Sequence, residues 1–586
     1  MAGMAKGDMI EVYHPPIAMP TPSRTIQPSK AILPAAAIAT AIAVAAPVIA
    51  IIVLAMGDSG DLWTHLVANV LPGALRDTLV LLAGVACVTL FIGVGSAWLV
   101  SSFDFPGRTI LVWLLPLPLA LPTYIAAYIF VEIFEPLGLT DRFLQGLGAS
   151  PGLMLAMPGV RSLGGAILIM SLVLYPYLYL SARATFQTLS ADVFEAARIL
   201  GARRWQSLHL VAWPMARPAI AVGLSLVLLE TLNDIGASEY LGVRTLTVSI
   251  FTTWLNRGNL PGAAQLACLM LGIALVLIVM ERYGRRHRQI DASAESPRLL
   301  GRTRLKGWKA VCVALLCAVP VTLGFILPLL FLVFEIISRH LISQITPELI
   351  SALGHSVFYS CIATLCALGL GLATVAAHRW HHHPALKACA TIGSIGYALP
   401  GTVLALGLLT PLVRIDDGLN ALAATMGLGH LGLVLAGSGA AIVIAYAIRF
   451  MAVAIGFSHA GFMRIPSAYD DSLHVAGASQ MHGIRKVYLP LLAPSLWGGA
   501  IVVFVDCLKE LPATLLLRPL NVETLATSIY QHASRGSFEE GALAALLIIL
   551  AGIGPVFLLS RLADHHGRTQ DDTTPDEPDP LADELR

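Results

Sequence analysis

Charge is scarce in this sequence: lysine, arginine, aspartate and glutamate make up 12% of its 586 residues. Ordinary soluble proteins carry about 25%, and a soluble chain of this length could not clothe its surface with so few. Basic and acidic groups balance at 37 and 36, so there is no electrostatic footprint for nucleic acid. Cysteine is sparse as well. None of the eight (Cys87, Cys268, Cys312, Cys317, Cys361, Cys366, Cys389, Cys507) stands in a Cys-x-x-Cys pair, which argues against a disulfide framework or a zinc site. No Gly-Lys-Ser or Gly-Lys-Thr occurs, so the phosphate loop of a nucleotide hydrolase is missing. Residues 1–30 are polar and proline-bearing, hence no cleavable signal peptide is expected and the first apolar run would itself direct insertion.

What the sequence has in abundance is apolar runs; 56% of the residues are hydrophobic. A bilayer span takes roughly 20 such residues as a helix. Runs at 31–55, 77–102, 109–133, 163–182, 218–238 and 263–281 are followed by a second set at 310–337, 353–377, 386–411, 431–449, 494–515 and 541–560. The fold expected is an all-α polytopic membrane protein of about 12 transmembrane helices. Its divisions are an N-terminal segment 1–30, a first repeat 31–281, a basic linker 282–309, a second repeat 310–563 and an acidic tail 564–586, expected to be disordered. With the N-terminus inside, 26 lysines and arginines fall in inner loops and 9 in outer ones. By the retention of positive loops, both termini are expected in the cytoplasm.

The two sets of spans are related. Residues 195–238 align without gaps on 471–514, with nine identities that include Gly201/Gly477, Pro214/Pro490, Pro218/Pro494 and Gly223/Gly499. Acidic character is kept at Glu195/Asp471, Glu230/Asp506 and Asp234/Glu510. Ala120-Leu121-Pro122 likewise matches Ala398-Leu399-Pro400. Six spans separate equivalent points, so the two copies run parallel, a common transporter plan.

In each repeat the connection before the fifth span has its own pattern. The first reads EAARILGARRWQSLHLVAWP (195–214) and the second DSLHVAGASQMHGIRKVYLP (471–490). Ala196 and Ala197 keep a short helix slim enough for close approach by another protein, Gly201 suits a helix end, and Arg203 opens a polar stretch. The prolines then stand where a new span begins. A stiff elbow joined directly to the fifth span is expected.

This pattern resembles the EAA loop of permease subunits in ATP-binding-cassette importers. The first copy fits with tryptophan in place of leucine before Pro214; the second keeps Gly477 and Leu489-Pro490 but opens Asp471-Ser472-Leu473. The resemblance implies two parallel six-helix repeats of the type I importer permease kind, in a bacterial inner membrane. It makes Glu195, Ala196, Ala197, Gly201, Arg203, Asp471, Ala476 and Gly477 coupling residues that dock on two copies of a separate ATPase subunit. ATP and magnesium would be used by that partner, with no cofactor in this chain, and a periplasmic binding protein would deliver the substrate.

Polar groups inside spans mark interior or aqueous surfaces, because charge facing lipid is costly. Glu230, Asn233 and Asp234 are spaced for one helical face, and Asp506, Lys509 and Glu510 repeat the pattern. Two readings stand: an acidic lining of a cation path, or a structural network in which Lys509 neutralises both Asp506 and Glu510. Proline-rich 115–122 and 399–401 should break the third and ninth spans. His378, His381, His382 and His383 read as a basic anchoring loop, with no metal site firmly assigned. DIGASEYLGVRTLTVSIFTTW (234–254) and LKELPATLLLRPLNVETLATSIY (508–530) resemble the fused ferric-iron permease branch; similar permeases are assigned to 2-aminoethylphosphonate and more distant ones to thiamine. A secondary transporter driven by an ion gradient is the rival class, and it leaves the paired elbows unexplained.

Overall fold

The computed structural model describes residues 29–135, 159–187, 213–285, 302–381, 383–466, 468–475 and 480–568, together with positions 140, 145, 199 and 200. Ten helices among these are long and apolar enough to cross a bilayer, and two bent pairs raise the number to twelve. Spans 1–6 are Ile32–Ala55, Asp61–Ser102, Arg108–Ala120 with Thr123–Phe134, Leu163–Gln187, Trp213–Asn233 and Leu260–Gly284. Spans 7–12 are Trp308–Ser338, Pro347–His381, Pro384–Ala398 with Gly401–Thr425, Ala440–Met463, Ile484–Leu508 and Phe538–Leu558. The all-α polytopic expectation holds.

Proline breaks spans 3 and 9 as expected. A residue before proline is pushed out of the helical region: Leu121 and Leu399 are extended, as are Pro122 and Pro400, with ψ 140° at each. The two segments of span 3 meet at 95° and those of span 9 at 119°. At the second break the Gly401 amide is left outside the helix ladder.

Several boundaries differ from the sequence reading, each for a local reason. Span 10 begins at Ala440, and the apolar residues before it form a loop. Gly427, Gly429 and Gly432 hold left-handed φ values of 71–76° there, and the Asp416 carboxylate accepts the amides of Leu435 and Ala436 at 2.8 and 2.9 Å. Spans 5 and 11 stop at Asn233 and Leu508 and are each followed by a short helix, Gly236–Tyr240 and Pro512–Leu517. Further short helices, Leu246–Leu255 and Leu525–Ser534, lie in stretches read as outer loops. Pro218 and Pro494 sit inside their helices, past the first turn. The last helix runs to Arg568, into the expected tail; the remainder of that tail lies outside the described residues.

The repeats do not form two separate bundles. Val44 of span 1 and Leu271 of span 6 join the core built by spans 8–11, while Cys317, Val321 and Phe325 of span 7 join that of spans 2–5. Two glycines let these exchanged helices touch backbone to backbone. A Cβ on Gly324 would lie 2.4 Å from the Leu172 carbonyl oxygen, and one on Gly407 2.4 Å from that of Pro47. The end of the linker is tied to the first repeat: Thr303–Arg304 pairs in parallel with Phe103–Asp104, and the Leu305 amide donates to the Asp104 carbonyl at 2.9 Å. Large apolar side chains such as Ile42, Phe91, Val276, Leu315 and Leu365 remain exposed around the bundle. In water they would form an unusually large apolar surface; in a bilayer they face acyl chains.

Candidate functional site

At the centre of the bundle, spans 5 and 11 end beside the breaks in spans 3 and 9. The six residues singled out in them converge on one small chamber of about 80 Å³, lined by Glu230, Asn233, Asp234, Asp506, Lys509 and Glu510, with Thr123, Tyr124 and Arg449 among the others. They do not share a helical face in either repeat, since Asp234 and Glu510 lie beyond the helix ends, in the turns into the short helices.

Those turns explain the positions of the two acids. Asp234 Oδ1 accepts the Ala237 amide at 2.8 Å, and Glu510 Oε1 accepts the equivalent Ala513 amide at 3.1 Å. Each carboxylate thus caps the free amides of a short helix. Glu510 also accepts from the Thr514 amide and hydroxyl, at 3.1 and 2.9 Å.

Beyond the caps the repeats diverge. Glu510 pairs with Arg449, Nη1 to Oε1 at 3.0 Å, and both are about 95% buried. Asp506 pairs with Lys509 at 2.8 Å. Lys509 therefore does not neutralise both acids, as one sequence reading had it; a guanidinium from span 10 takes Glu510. In the first repeat the Thr123 hydroxyl donates to Asp234, and the Tyr397 hydroxyl donates to Glu230 at 2.6 Å. The amide freed at the span 9 break, on Gly401, donates to Asn233 Oδ1 at 2.5 Å. Residues of span 5 are thereby bonded to span 9 of the other repeat.

Sequence reading missed Arg449, Thr123, Tyr124 and Tyr397. A signal for Arg449 existed, because an arginine amid apolar residues is costly in lipid. It was hidden by placing the end of span 10 at that residue. Toward the linker the chamber adjoins a vestibule of about 550 Å³, the two sharing Leu119, Tyr177, Asp506 and Lys509. Glu281 and Arg282 line its far end, and Leu226, Leu229, Val453 and Val502 are among its apolar walls. Among the described residues no three histidine, cysteine or acidic side chains are grouped to hold a metal ion. His383 instead caps the first segment of span 9, its ring nitrogen 3.2 Å from the Ala385 amide.

Of the coupling residues, Glu195, Ala196, Ala197, Gly201, Arg203, Ala476 and Gly477 lie outside the described residues. Asp471 falls in a helix, Ala468–Val475. The neighbouring Asp470 does the anchoring. Its carboxylate accepts from Arg379 Nε and Nη2 at 3.0 and 2.8 Å, from Trp380 Nε1 at 2.9 Å and from the Tyr488 hydroxyl. Arg379 also caps the end of span 10 through the Phe462 and Ile465 carbonyls. Burial pushes the Asp470 carboxyl upward, but the bonds from Tyr488, Arg379 and Trp380 outweigh it and hold the group below the usual carboxylate range. A depressed folded value contributes stability above the ordinary carboxylate pKa of about 4 and loses it as pH falls through the lower one. The Asp470 contacts should therefore be indifferent to pH between 5 and 8. Asp470→Asn should raise proteolytic cleavage at 464–488 at neutral pH; an unchanged cleavage rate would remove Asp470 from this role. Among the described residues of the two connections, Ile199 and Val475 are 86% and 91% exposed, and they are equivalent positions in the repeat.

This is the architecture of a duplicated membrane permease, and comparison with known proteins agrees. The family described as "Binding-protein-dependent transport system inner membrane component" matches twice, over residues 89–289 and 368–569, and the chain belongs to it. The Fe(3+)-transport system permease protein FbpB 2 of Haemophilus influenzae is 23% identical over 504 residues, covering 83% of this chain and 90% of that protein. The probable ABC transporter permease protein y4fN of Sinorhizobium fredii is 23% identical over 518 residues, covering 84% and 87%. A probable molybdenum ABC transporter permease protein of Haloferax volcanii, HVO_B0370, is 30% identical over 195 residues, covering 33% of this chain and 68% of its own length. The chain is a fused, two-repeat permease of an ABC importer, a class that works with an ATPase and a substrate-binding protein.

Proposed function

We propose that this chain forms the whole transmembrane path of an ATP-driven ferric-iron importer of the bacterial inner membrane, with both termini cytoplasmic. Two copies of an ATPase subunit dock on the elbows at 195–214 and 471–490, and a periplasmic binding protein docks on the opposite face. ATP and magnesium are used by the ATPase alone; this chain has no catalytic role. Repeats 31–281 and 310–563 are the two halves that rock.

The observation that supports the coupling is the pair of exposed apolar side chains Ile199 and Val475, 276 residues apart at equivalent positions of the two repeats. In sequence each elbow is followed by a fifth or eleventh span, whose far end leads to the central carboxylates. Closure of an ATPase pair beneath the elbows would tilt these spans and part the bonds from Tyr397 to Glu230 and from Gly401 to Asn233. Iron as substrate is supported by a relative that spans nearly the full chain and by the excess of acids over bases at the chamber. An oxyanion would need a free cation there, whereas Arg449 and Lys509 are each committed to a carboxylate.

The test uses the complete transporter. Gly201→Val combined with Gly477→Val should leave membrane levels of the chain normal but abolish co-purification of the ATPase and uptake of radiolabelled ferric iron. Normal uptake in that variant would refute the coupling. Uptake driven by a proton or sodium gradient without ATP would make the protein a secondary transporter.

A further inference from the structure

The basic linker is used neither by the coupling nor by the path, yet its described end is built into the bundle. Thr303–Arg304 lies alongside Phe103–Asp104. Three residues beyond each strand stands a glycine in the left-handed region, Gly107 at φ 79° and Gly307 at 63°. A span then begins, at Arg108 on one side and at Trp308 on the other. Spans 3 and 7 thus start in contact, beside the end of span 2.

Cations gather at that start. Arg302, Arg304, Lys306 and Lys309 are exposed, and no acid stands in residues 302–309. Among the described residues none of the four forms an ion pair. Arg108 joins them. Its Nε donates to the Val100 carbonyl at 2.8 Å, which fixes the guanidinium at the end of span 2. Arg302 and Arg183 lie within electrostatic range of it, against one described carboxylate, Asp104. Like charges held together at a half-buried place repel unless an anion lies among them.

The surroundings fix the kind of anion. Trp308 is 73% exposed, and the helices that follow carry exposed Ile110, Val311 and Leu315. Side chains so placed face acyl chains, so the cations before them lie at headgroup level, where tryptophan is also favoured. A guanidinium fork matches the paired oxygens of a phosphate.

We infer that this patch binds the headgroup of an anionic phospholipid in the leaflet on the linker side, with Arg108, Arg302 and Arg304 about the phosphate and Trp308 against the upper acyl chain. The lipid acts as a clamp. Span 7 is the helix exchanged onto the first repeat, and a two-residue strand pair tethers its start. A phosphate shared between Arg108 and the arginines before span 7 ties the same two ends together and cancels their repulsion.

The experiment is native mass spectrometry of the full-length chain in neutral detergent, titrated with phosphatidylglycerol and, separately, with phosphatidylcholine. Wild type should retain the anionic lipid in preference. A basic residue at a charged headgroup contributes about fivefold in affinity, so Arg302→Gln with Arg304→Gln should lower phosphatidylglycerol affinity roughly 25-fold. Both side chains are exposed, so folding should be untouched. Phosphatidylglycerol should also raise the unfolding temperature of wild type more than that of this double variant. Lys387→Gln with Arg464→Gln makes an equal charge change at exposed positions on the same side of the second repeat, and should retain lipid as wild type does. Equal retention of the two lipids by wild type, or equal losses in the two double variants, would overturn the site. Removal of the acidic residues 569–586 should change nothing. A large gain in phosphatidylglycerol retention on their removal would make that segment the occupant of the patch and overturn the lipid assignment.

Discussion

Arg449→Leu should destabilise the protein by roughly 3–5 kcal/mol, the usual cost of removing one partner from a buried ion pair. The carboxylate left behind would sit at the centre of the bundle, with Glu510 only 4% exposed. It would keep the Ala513 and Thr514 amides and the Thr514 hydroxyl, which places the loss toward the lower end. Glu510→Gln should be as damaging, because Arg449 already has an unpartnered Nε and would lose the carboxylate it is paired with. The double variant, Arg449→Leu with Glu510→Gln, should recover most of the loss, since apolar or neutral replacement of a whole buried pair is often tolerated. Thermal unfolding of the detergent-purified protein reads this directly. Additive losses in the double variant would mean that the two groups do not depend on one another.

Gly407→Val is expected to have a comparable effect by a different route. Its Cβ would meet the Pro47 carbonyl oxygen at 2.4 Å and Ile51 Cδ1 at 2.9 Å. Overpacking that side chains can absorb costs about 1–3 kcal/mol; here the obstacle is backbone, so the cost should reach or exceed the top of that range. Span 1 would be pushed off the repeat that it braces, and little folded protein should accumulate in the membrane. Gly418, on the same helix, has nothing within 4 Å of its Cβ position, and Gly418→Val serves as the control with normal accumulation. Equal behaviour of the two variants would show that the exchanged contact does not hold the repeats together.

Much of the architecture was legible in the sequence because lipid imposes a simple rule. A span must be long, helical and apolar, so twelve runs could be counted, and proline marked where two of them break. The errors lie where an apolar run is a loop. The run 431–449 is long and apolar, yet its first nine residues form a loop that follows left-handed Gly427 and Gly429 and turns at left-handed Gly432, with amides satisfied by Asp416 and Asn420. Hydropathy does not register such local capping.

The polar layer was half legible. Glu230, Asn233 and Asp234 and their counterparts stood out because charge is rare in spans, and the repeat implied that they would meet. Their partners did not stand out, since Thr123, Tyr124 and Tyr397 are unremarkable residue types in apolar surroundings. They matter because the breaks of spans 3 and 9 bring them to the ends of spans 5 and 11. The elbow behaved alike: the motif drew attention to Asp471, while the carboxylate with four donors on it is Asp470, reached by Arg379 and Trp380 from a span about 90 residues away.

Composition, the internal alignment of 195–238 on 471–514 and the placement of proline by themselves pointed to a duplicated bundle in a bilayer and to where its spans bend, because burial in lipid and backbone geometry act on local stretches. Only the tertiary structure decided which repeat each helix braces, which acid each base pairs with, and that Glu230 and Asp234 are held by hydroxyls and an amide instead. Those outcomes depend on contacts between residues hundreds of positions apart, and two near-equal copies of one sequence pattern are compatible with several such pairings.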